Sequence, residues 1–502
     1  MESEKKERVA PPPHHVLVLP FPVQGHINPM LQFAKRLAST ASGIFRVTLA
    51  TTVFFSETVQ VKLTGGSVRL DTISDGYDRG GFMEAATPEA YHRRLDEVGS
   101  RTLVKLIERH KGSDRPFTCL IYDTSMHWAL DVAAGLGLTG VAFYTQSCAA
   151  FAIYYYAYQG RLRLAVEPSE EGGRRTLSFP GLPPLSVSDL PSLLFEEGSS
   201  YEPVLSLKTK QFSNLDKADS VLFNTTQELE SEVVSVLKGF WPVKTIGPTL
   251  PFMYLDETSS GTSREEDKDY GYNYYKPSST NYIAWLDSKP EGSVAYVSFG
   301  SIAATSERQM AELAWGLRDS GVYFIWVVRA SEQQKLPKEF AAETEERGLV
   351  VTWCNQLQVL AHGATGCFVT HCGWNSVLEA LSLGVPMVGV PQWTDQPTNA
   401  KYVEDVWGVG VRAKADQEGV VRREEMETCV RQVLEGTSRR GEEIRSNARK
   451  WREMVKGAVR EGGSSDKNMQ EFVGELVNSD LESRGSRTIN VKLTSEDQGL
   501  VK

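Results

Sequence analysis

Ten short apolar runs of strand length alternate with stretches whose apolar residues recur at helical spacing, and this alternation constrains the fold more than any other feature of the chain. In the first half HVLVLPF, RVTLATT, TCLIYD, GVAFYT and SVLFNT read as strands; in the second, SVAYVSFG, YFIWVVR, GLVVTW, GCFVTH and PMVGVP do. Strands that alternate with helices pair in parallel and are covered by those helices on both faces. At 502 residues the chain exceeds one ordinary core. The predicted fold class is therefore α/β, with two Rossmann-like, doubly wound parallel-sheet domains facing a cleft. The polar stretch 251–281 is poor in aliphatics and is the expected linker. It separates a first domain over 1–250 from a second over 282–458, with a C-terminal helix over 459–478 expected to pack back on the first domain. Residues 479–502 show no sustained periodicity and read as a disordered tail.

Composition removes several classes of function. A formal net charge of -10 argues against nucleic acid or an anionic membrane as the main partner. Six cysteines, mostly in apolar runs, suggest reduced, buried thiols in a cytoplasmic protein. Cys354, Cys367, His371 and Cys372 match no paired metal-binding spacing, so no metal site is expected. MESEKKERVAPPP does not read as a secretory signal. The longest uncharged stretch, 132–160, is interrupted by glycines and by Thr145, Gln146 and Ser147, which argues against a membrane span. GLGLTG at 135–140 and GVGVRA at 408–413 resemble dinucleotide motifs but follow a helix instead of a strand, the reverse of the required context.

Two segments carry chemistry. In PFPVQGHINPML, Asn28-Pro29 reads as an N-cap followed by proline at the first helical position, so a helix is expected from Pro29 with His26 in the preceding loop. A loop between a strand end and a helix start is where open α/β sheets bind ligands, although a histidine there could equally fill a turn. In the 353–396 stretch, the strand GCFVTH runs through HCGWNS into the helix SVLEALSLG. Amides at that helix start favour a phosphate, Gly373 permits close approach, and His371 could add a hydrogen bond or a charge. Ser376 and Glu379 have capping-box spacing, with a ribose diol as the functional alternative for the glutamate. Trp353 could stack on a base or simply be core.

The 44-residue stretch from Trp353 to Gln396 resembles the signature box of the plant family 1 glycosyltransferases, which use uridine-diphosphate sugars. PFPVQGHINPML, SFGS at 298–301 and EGGSSDKN at 461–468 extend the resemblance over residues 14–477. It looks most like the branch that glucosylates small carboxylic acids, phenols and terpenoid alcohols. The resemblance implies a GT-B arrangement, with acceptor on the N-terminal domain and UDP-glucose on the C-terminal one. It implies that Trp353 stacks on uracil, that Gln356 and Glu379 hold the ribose, and that Ser301, His371, Gly373, Asn375 and Ser376 meet the diphosphate. Trp374, Asp395 and Gln396 would contact the sugar, His26 would be the general base, and Asp123 would orient it. It implies a monomer that needs no cofactor or metal, with UDP-glucose and a small-molecule acceptor as its partners.

Three positions depart from the family pattern. Asn355 replaces a common proline, which predicts a looser turn after Trp353; His127 stands near Asp123 as a conceivable rival base; and the tail has no counterpart. The aromatic stretch 143–160, together with 74–82 and 182–195, is expected to line an apolar acceptor pocket. The leading reading is an inverting glucosyltransferase. The alternative, a catalytically silent UDP-sugar-binding protein that works through protein partners, would be favoured by the loss of His26 or Asp123, and both are present; a redox enzyme is argued against by the misplaced glycine motifs.

Overall fold

The computed structural model describes residues 14–40, 44–58, 68–162, 176–195, 202–255, 281–301, 305–435 and 438–478. Most of the expected linker and all of the expected tail lie outside these residues. The first sheet holds seven strands, β1 (His14–Leu19), β2 (Phe45–Thr52), β3 (Val68–Ile73), β4 (Cys119–Asp123), β5 (Thr139–Tyr144), β6 (Ser220–Phe223) and β7 (Val243–Thr245). Their order is β3-β2-β1-β4-β5-β6-β7, with every pairing parallel. The second holds six, β8 (Val294–Ser298), β9 (Tyr323–Val327), β10 (Gly348–Val351), β11 (Thr365–Thr370), β12 (Met387–Gly389) and β13 (Gly410–Arg412). These run β10-β9-β8-β11-β12-β13, again all parallel. Both sheets reverse their winding beside the first strand, between β1 and β4 and between β8 and β11. Such switch points open a crevice at the carboxyl ends of the strands.

All ten expected strands are present. The three that were not anticipated, β3, β7 and β13, are edge strands, too short or too polar to read as buried runs. The helix Gln24–Thr40 corrects the reading of PFPVQGHINPML. It starts five residues before Pro29 and carries His26 in its first turn, so the buried Asn28 lies inside the helix and is not its N-cap. Its opening bonds run from the His26 and Ile27 amides to the Val23 carbonyl. Proline is tolerated here because its absent N–H leaves the Gly25 carbonyl unclaimed inside the helix, and the Asn375 amide of the second domain donates to that carbonyl at 2.6 Å.

Further bonds join the two domains around this point. The Trp374 indole donates to the Asn224 carbonyl, the Trp407 indole to the Leu229 carbonyl, Ser147 to Asn399, and Thr398 to the Asp189 carbonyl. Asp189 itself, almost wholly buried, is paired with Arg412 at 2.8 Å. The helix at 464–478 lies against the first sheet: Met469 and Phe472 enter its core beside Phe33, and Asn468 donates to the Thr245 carbonyl.

Burial alone would raise the Asp189 carboxyl, but hydrogen bonds from Ser186 and the charge of Arg412 outweigh it and hold it below the usual carboxylate range. A depressed folded pKa contributes stability above the unfolded value, near 4, and that contribution is lost as pH falls further. Asp189→Asn should therefore destabilise the protein at pH 7 by about 2 kcal/mol or more, because it strands Arg412 in a buried interface. The difference from wild type, read by denaturant unfolding, should shrink toward pH 3; a difference that stays constant with pH would contradict the ion pair.

Candidate active site

His26 and Asp123 meet at the switch point of the first sheet. Asp123 ends β4, and its buried Oδ2 accepts a 2.6 Å hydrogen bond from Nδ1 of His26, while Oδ1 accepts from the Ser125 amide. Thr145 Oγ1 stands 3.1 Å from the same imidazole nitrogen. Burial pushes the Asp123 carboxyl up, yet the adjoining His26 and the bonds from His26 and Ser125 bring it below the ordinary value, so it is an anion. With Nδ1 engaged, Nε2 is the nitrogen left to take a proton. His127 does not line the cleft; burial pushes its imidazole down, so it offers no rival base.

Opposite stands the turn HCGWNS. The helix Trp374–Leu383 begins after Gly373, whose residue supplies no side-chain cap, so its first amides remain available to an anion in the cleft. Ser376 and Glu379 form no capping box, because the helix starts earlier than their spacing suggests. Among the described residues the non-glycine positions in the left-handed region are Thr394, with φ 54°, which lines the cleft, and Cys372, with φ 61°, which is buried between His371 and Gly373 in the chain. The His371 ring fills the space between two glycines. A Cβ on Gly373 would lie 2.5 Å from its Nε2, and one on Gly300 would lie 2.8 Å away. Burial pushes the His371 imidazole down to about 4 against the pull of Asp395, so the ring is neutral and can offer a hydrogen bond but not a charge.

The remaining box residues gather on the same wall. Gln356 donates to Glu379 at 2.6 Å and to Ser376 at 3.0 Å, and accepts from the Tyr296 hydroxyl. Trp353 and Ser301 line the cavity beside them. Asn355 does not loosen the turn: its side chain accepts from the Gln358 amide and caps the helix Gln356–Leu360. Gln396 is buried with its carbonyl oxygen held by the Gln392 and Trp393 amides, and Asp395 accepts from Thr394 and Asn399. Trp374 borders the cavity with its indole N–H already bonded across the domains.

The site residues expected from the sequence all line one cleft of about 640 Å³ except Asp123, which stands behind His26. Its first-domain wall differs from the expectation. Of 143–160 only Thr145, Gln146 and Tyr154 reach it, while Phe151, Tyr155 and Tyr156 pack with Phe212, Trp241 and Phe179 in the core. Of 74–82 only Phe82 does. None of 182–195 lines it; that segment docks on the second domain through Ser192 and Thr394. Phe21, Pro88, His92 and Lys208 line it instead. They come from three separate segments, and no spacing in the sequence links them.

Two facing doubly wound sheets, with an imidazole–carboxylate pair on one wall and an uncapped helix start on the other, define a nucleotide-sugar transferase of the GT-B type. The family model for UDP-glucoronosyl and UDP-glucosyl transferase matches residues 234–447. UDP-glycosyltransferase 74E2 of Arabidopsis thaliana is 47% identical over 464 residues, 91% of this chain and 98% of that one. Crocetin glucosyltransferase 2 of Crocus sativus is 48% identical over 92% of this chain and 97% of its own length. The crystal structure of Os79 from O. sativa in complex with UDP superposes with a TM-score of 0.82 at 38% identity, covering 92% of this chain and all of that one. The chain belongs to the plant family 1 UDP-glycosyltransferases, and it is a UDP-sugar-dependent transferase.

Gly373→Ala isolates the packing of His371, since φ at Gly373 is -62° and an alanine there meets no backbone strain. The added methyl group displaces the ring, and UDP affinity by calorimetry should fall about tenfold, equivalent to ~1.4 kcal/mol. Unaltered affinity would show that the anion is bound elsewhere.

Proposed function

We propose that the protein is an inverting glucosyltransferase that moves glucose from UDP-glucose to a hydroxyl or carboxyl group of a small lipophilic acceptor, giving a β-glucoside or glucose ester. The observation that carries this reading is the 2.6 Å bond from His26 to the Asp123 carboxylate, on the wall facing the uncapped start of Trp374–Leu383. Crocetin glucosyltransferase 2 and the indole-3-acetate β-glucosyltransferase of Zea mays, 47% identical over 91% of this chain and 97% of its own length, support glucose as the sugar. An acceptor hydroxyl gives its proton to His26 Nε2 while its oxygen bonds to the anomeric carbon. The bond from that carbon to the diphosphate oxygen breaks, and its electrons leave with UDP. Asp123 fixes the imidazole tautomer and stabilises the imidazolium that forms.

On the donor side, Trp353 stacks on uracil and Gln356 with Glu379 holds the ribose. Ser301, His371, Asn375, Ser376 and the amides from Gly373 onward meet the diphosphate, supporting the leaving charge with fixed dipoles. Asp395 and the free amide of Gln396 hold the glucose hydroxyls, with Trp374 packed beneath them. Residues 1–250 then form the acceptor domain and 282–458 the donor domain, with 251–281 linking them and 459–478 bracing the first. The reading further includes a cytoplasmic monomer. It is supported by six cysteines that are all free and buried, and by the finding that no helix among the described residues is long and apolar enough to cross a membrane. Among those residues no cluster of three or more His, Cys, Asp or Glu could hold a metal ion. A silent UDP-sugar-binding protein is not favoured, because the base and its carboxylate are both in place.

His26→Ala should lower kcat for phenol and alcohol acceptors by about 10²–10⁴, the usual range for a general base, and far less for carboxylic acids, which are already ionised at neutral pH. Steady-state kinetics by mass spectrometry decides this, and equal losses for both acceptor types would refute the role. Gln396→Glu keeps the oxygen that holds the Gln392 and Trp393 amides but removes the N–H donors. Glucose transfer should weaken while free UDP binds as before; a parallel loss of UDP affinity would contradict a sugar contact.

A further inference from the structure

The first-domain wall of the cleft sets Phe21, Val23, Phe82 and Pro88 among polar side chains, and the groups on it that can carry a positive charge are His26, His92 and Lys208. The carboxylates that line the cavity, Glu379 and Asp395, belong to the other wall. Lys208 is half-buried on the helix Glu202–Lys210 and makes no ion pair among the described residues. Its neighbour Lys210 stands instead near Asp96. His92, on the helix Pro88–Arg94, stacks on Phe21 at 5.6 Å, and Phe21 in turn meets His26 edge-on at 5.5 Å. One aromatic ring therefore separates the base from His92, and Lys208, which lines the same cleft, is near enough for its charge to act on His92. Burial and then the charge of Lys208 push the His92 imidazole down to about 4, so the ring is neutral, and its buried Nδ1 has no hydrogen-bond partner.

We infer that this pocket selects acceptors bearing a carboxylate remote from the attacking hydroxyl, with Lys208 as the residue that holds the carboxylate and His92 beside it. The inference rests on the transferase reading and names its substrate class. A half-buried lysine is only partly solvated, and a carboxylate arriving there meets it at a lower effective dielectric than in water. The acceptor skeleton lies along Phe21, its anion is fixed at one end, and its hydroxyl is presented to His26 at the other. The anchored carboxylate cannot itself attack, so the product is a glucoside and not an ester: the phenol proton passes to His26, the new C–O bond forms, and UDP departs with the electrons of the old one.

The test uses UDP-glucose with 3-(4-hydroxyphenyl)propanoate beside its methyl ester, on wild type, Lys208→Met and Lys208→Arg, together with calorimetric binding of the acid to the UDP-loaded protein. Wild type should prefer the acid in kcat/KM by about tenfold, the scale of one partly desolvated ion pair. The product should resist mild alkali. Lys208→Met should abolish the preference through KM, with weaker binding of the acid and kcat nearly held, and Lys208→Arg should restore most of it. Equal use of acid and ester by wild type, a preference that survives in Lys208→Met, or an alkali-labile ester product would overturn the inference and leave the transferase intact. No product from either acceptor or from any neutral phenol, with UDP-glucose bound, would remove both readings.

Discussion

Pro29 has no N–H to give, and the carbonyl it leaves unclaimed at Gly25 is where the two halves of this molecule are tied most directly to the chemistry. An orphaned carbonyl inside a helix must find a partner or leave a buried acceptor unmet. Asn375 supplies the partner, and Asn375 stands in the first turn of the helix whose amides face the cleft. The helix that carries His26 and the helix start that would meet a diphosphate are thus joined by one 2.6 Å bond. The indole bond of Trp374 to Asn224, one residue earlier, fixes the same helix from a second direction. Reacting groups on separate domains need such restraint, since a displacement of about 1 Å at a near-attack geometry costs on the order of 10² in rate.

The fold was legible wherever strands are buried on both faces. HVLVL, CLIYD and YFIWV are central strands, and their apolar runs show it; VRLDTI, an edge strand with exposed and half-buried positions, alternates charge and was passed over. That the residues of the box and His26 gather at one cleft, with Asp123 bonded behind His26, was legible for another reason: the box from Trp353 to Gln396 is long, and His26 and Asp123 stand in short motifs near strand ends. The start of the first helix was misread because Asn-Pro is a sound local signal for a helix start, and here a contact from another domain overrides it. The first-domain wall was legible only in part. Phe82 and Tyr154 come from stretches expected there, whereas Phe21, His92 and Lys208 join them only through tertiary packing, and the aromatic run at 148–158 belongs mostly to the core.

Many polar atoms on the donor wall are committed before any ligand enters. One end of the Gln396 amide is held by two backbone N–H groups, Asp395 by Asn399 and Thr394, and Gln356 by Tyr296. These bonds fix the side chains in place: Gln396 is held through its oxygen, whereas Asp395 and Gln356 are engaged at both polar atoms. A site supported in this way loses little conformational freedom when it is filled, which is how outer partners raise the precision of the groups they hold. Glu379 differs, because its carboxylate accepts from Gln356 inside the protein. A ribose diol arriving there would share an existing hydrogen-bond network.

Among the described residues three imidazoles line the cleft, and their surroundings sort them. His371 sits between Gly300 and Gly373, where enclosure outweighs the pull of Asp395, and His92 lies against Phe21 and the like charge of Lys208. Either ring would lose solvation on protonation without a bonded anion to offset it. His26 alone of the three is hydrogen-bonded to a carboxylate, and that carboxylate is buried and held as an anion. In the proposed reaction the imidazole paired with that carboxylate is the one placed to receive the acceptor proton, while the neutral His371 would support the departing diphosphate without competing for it.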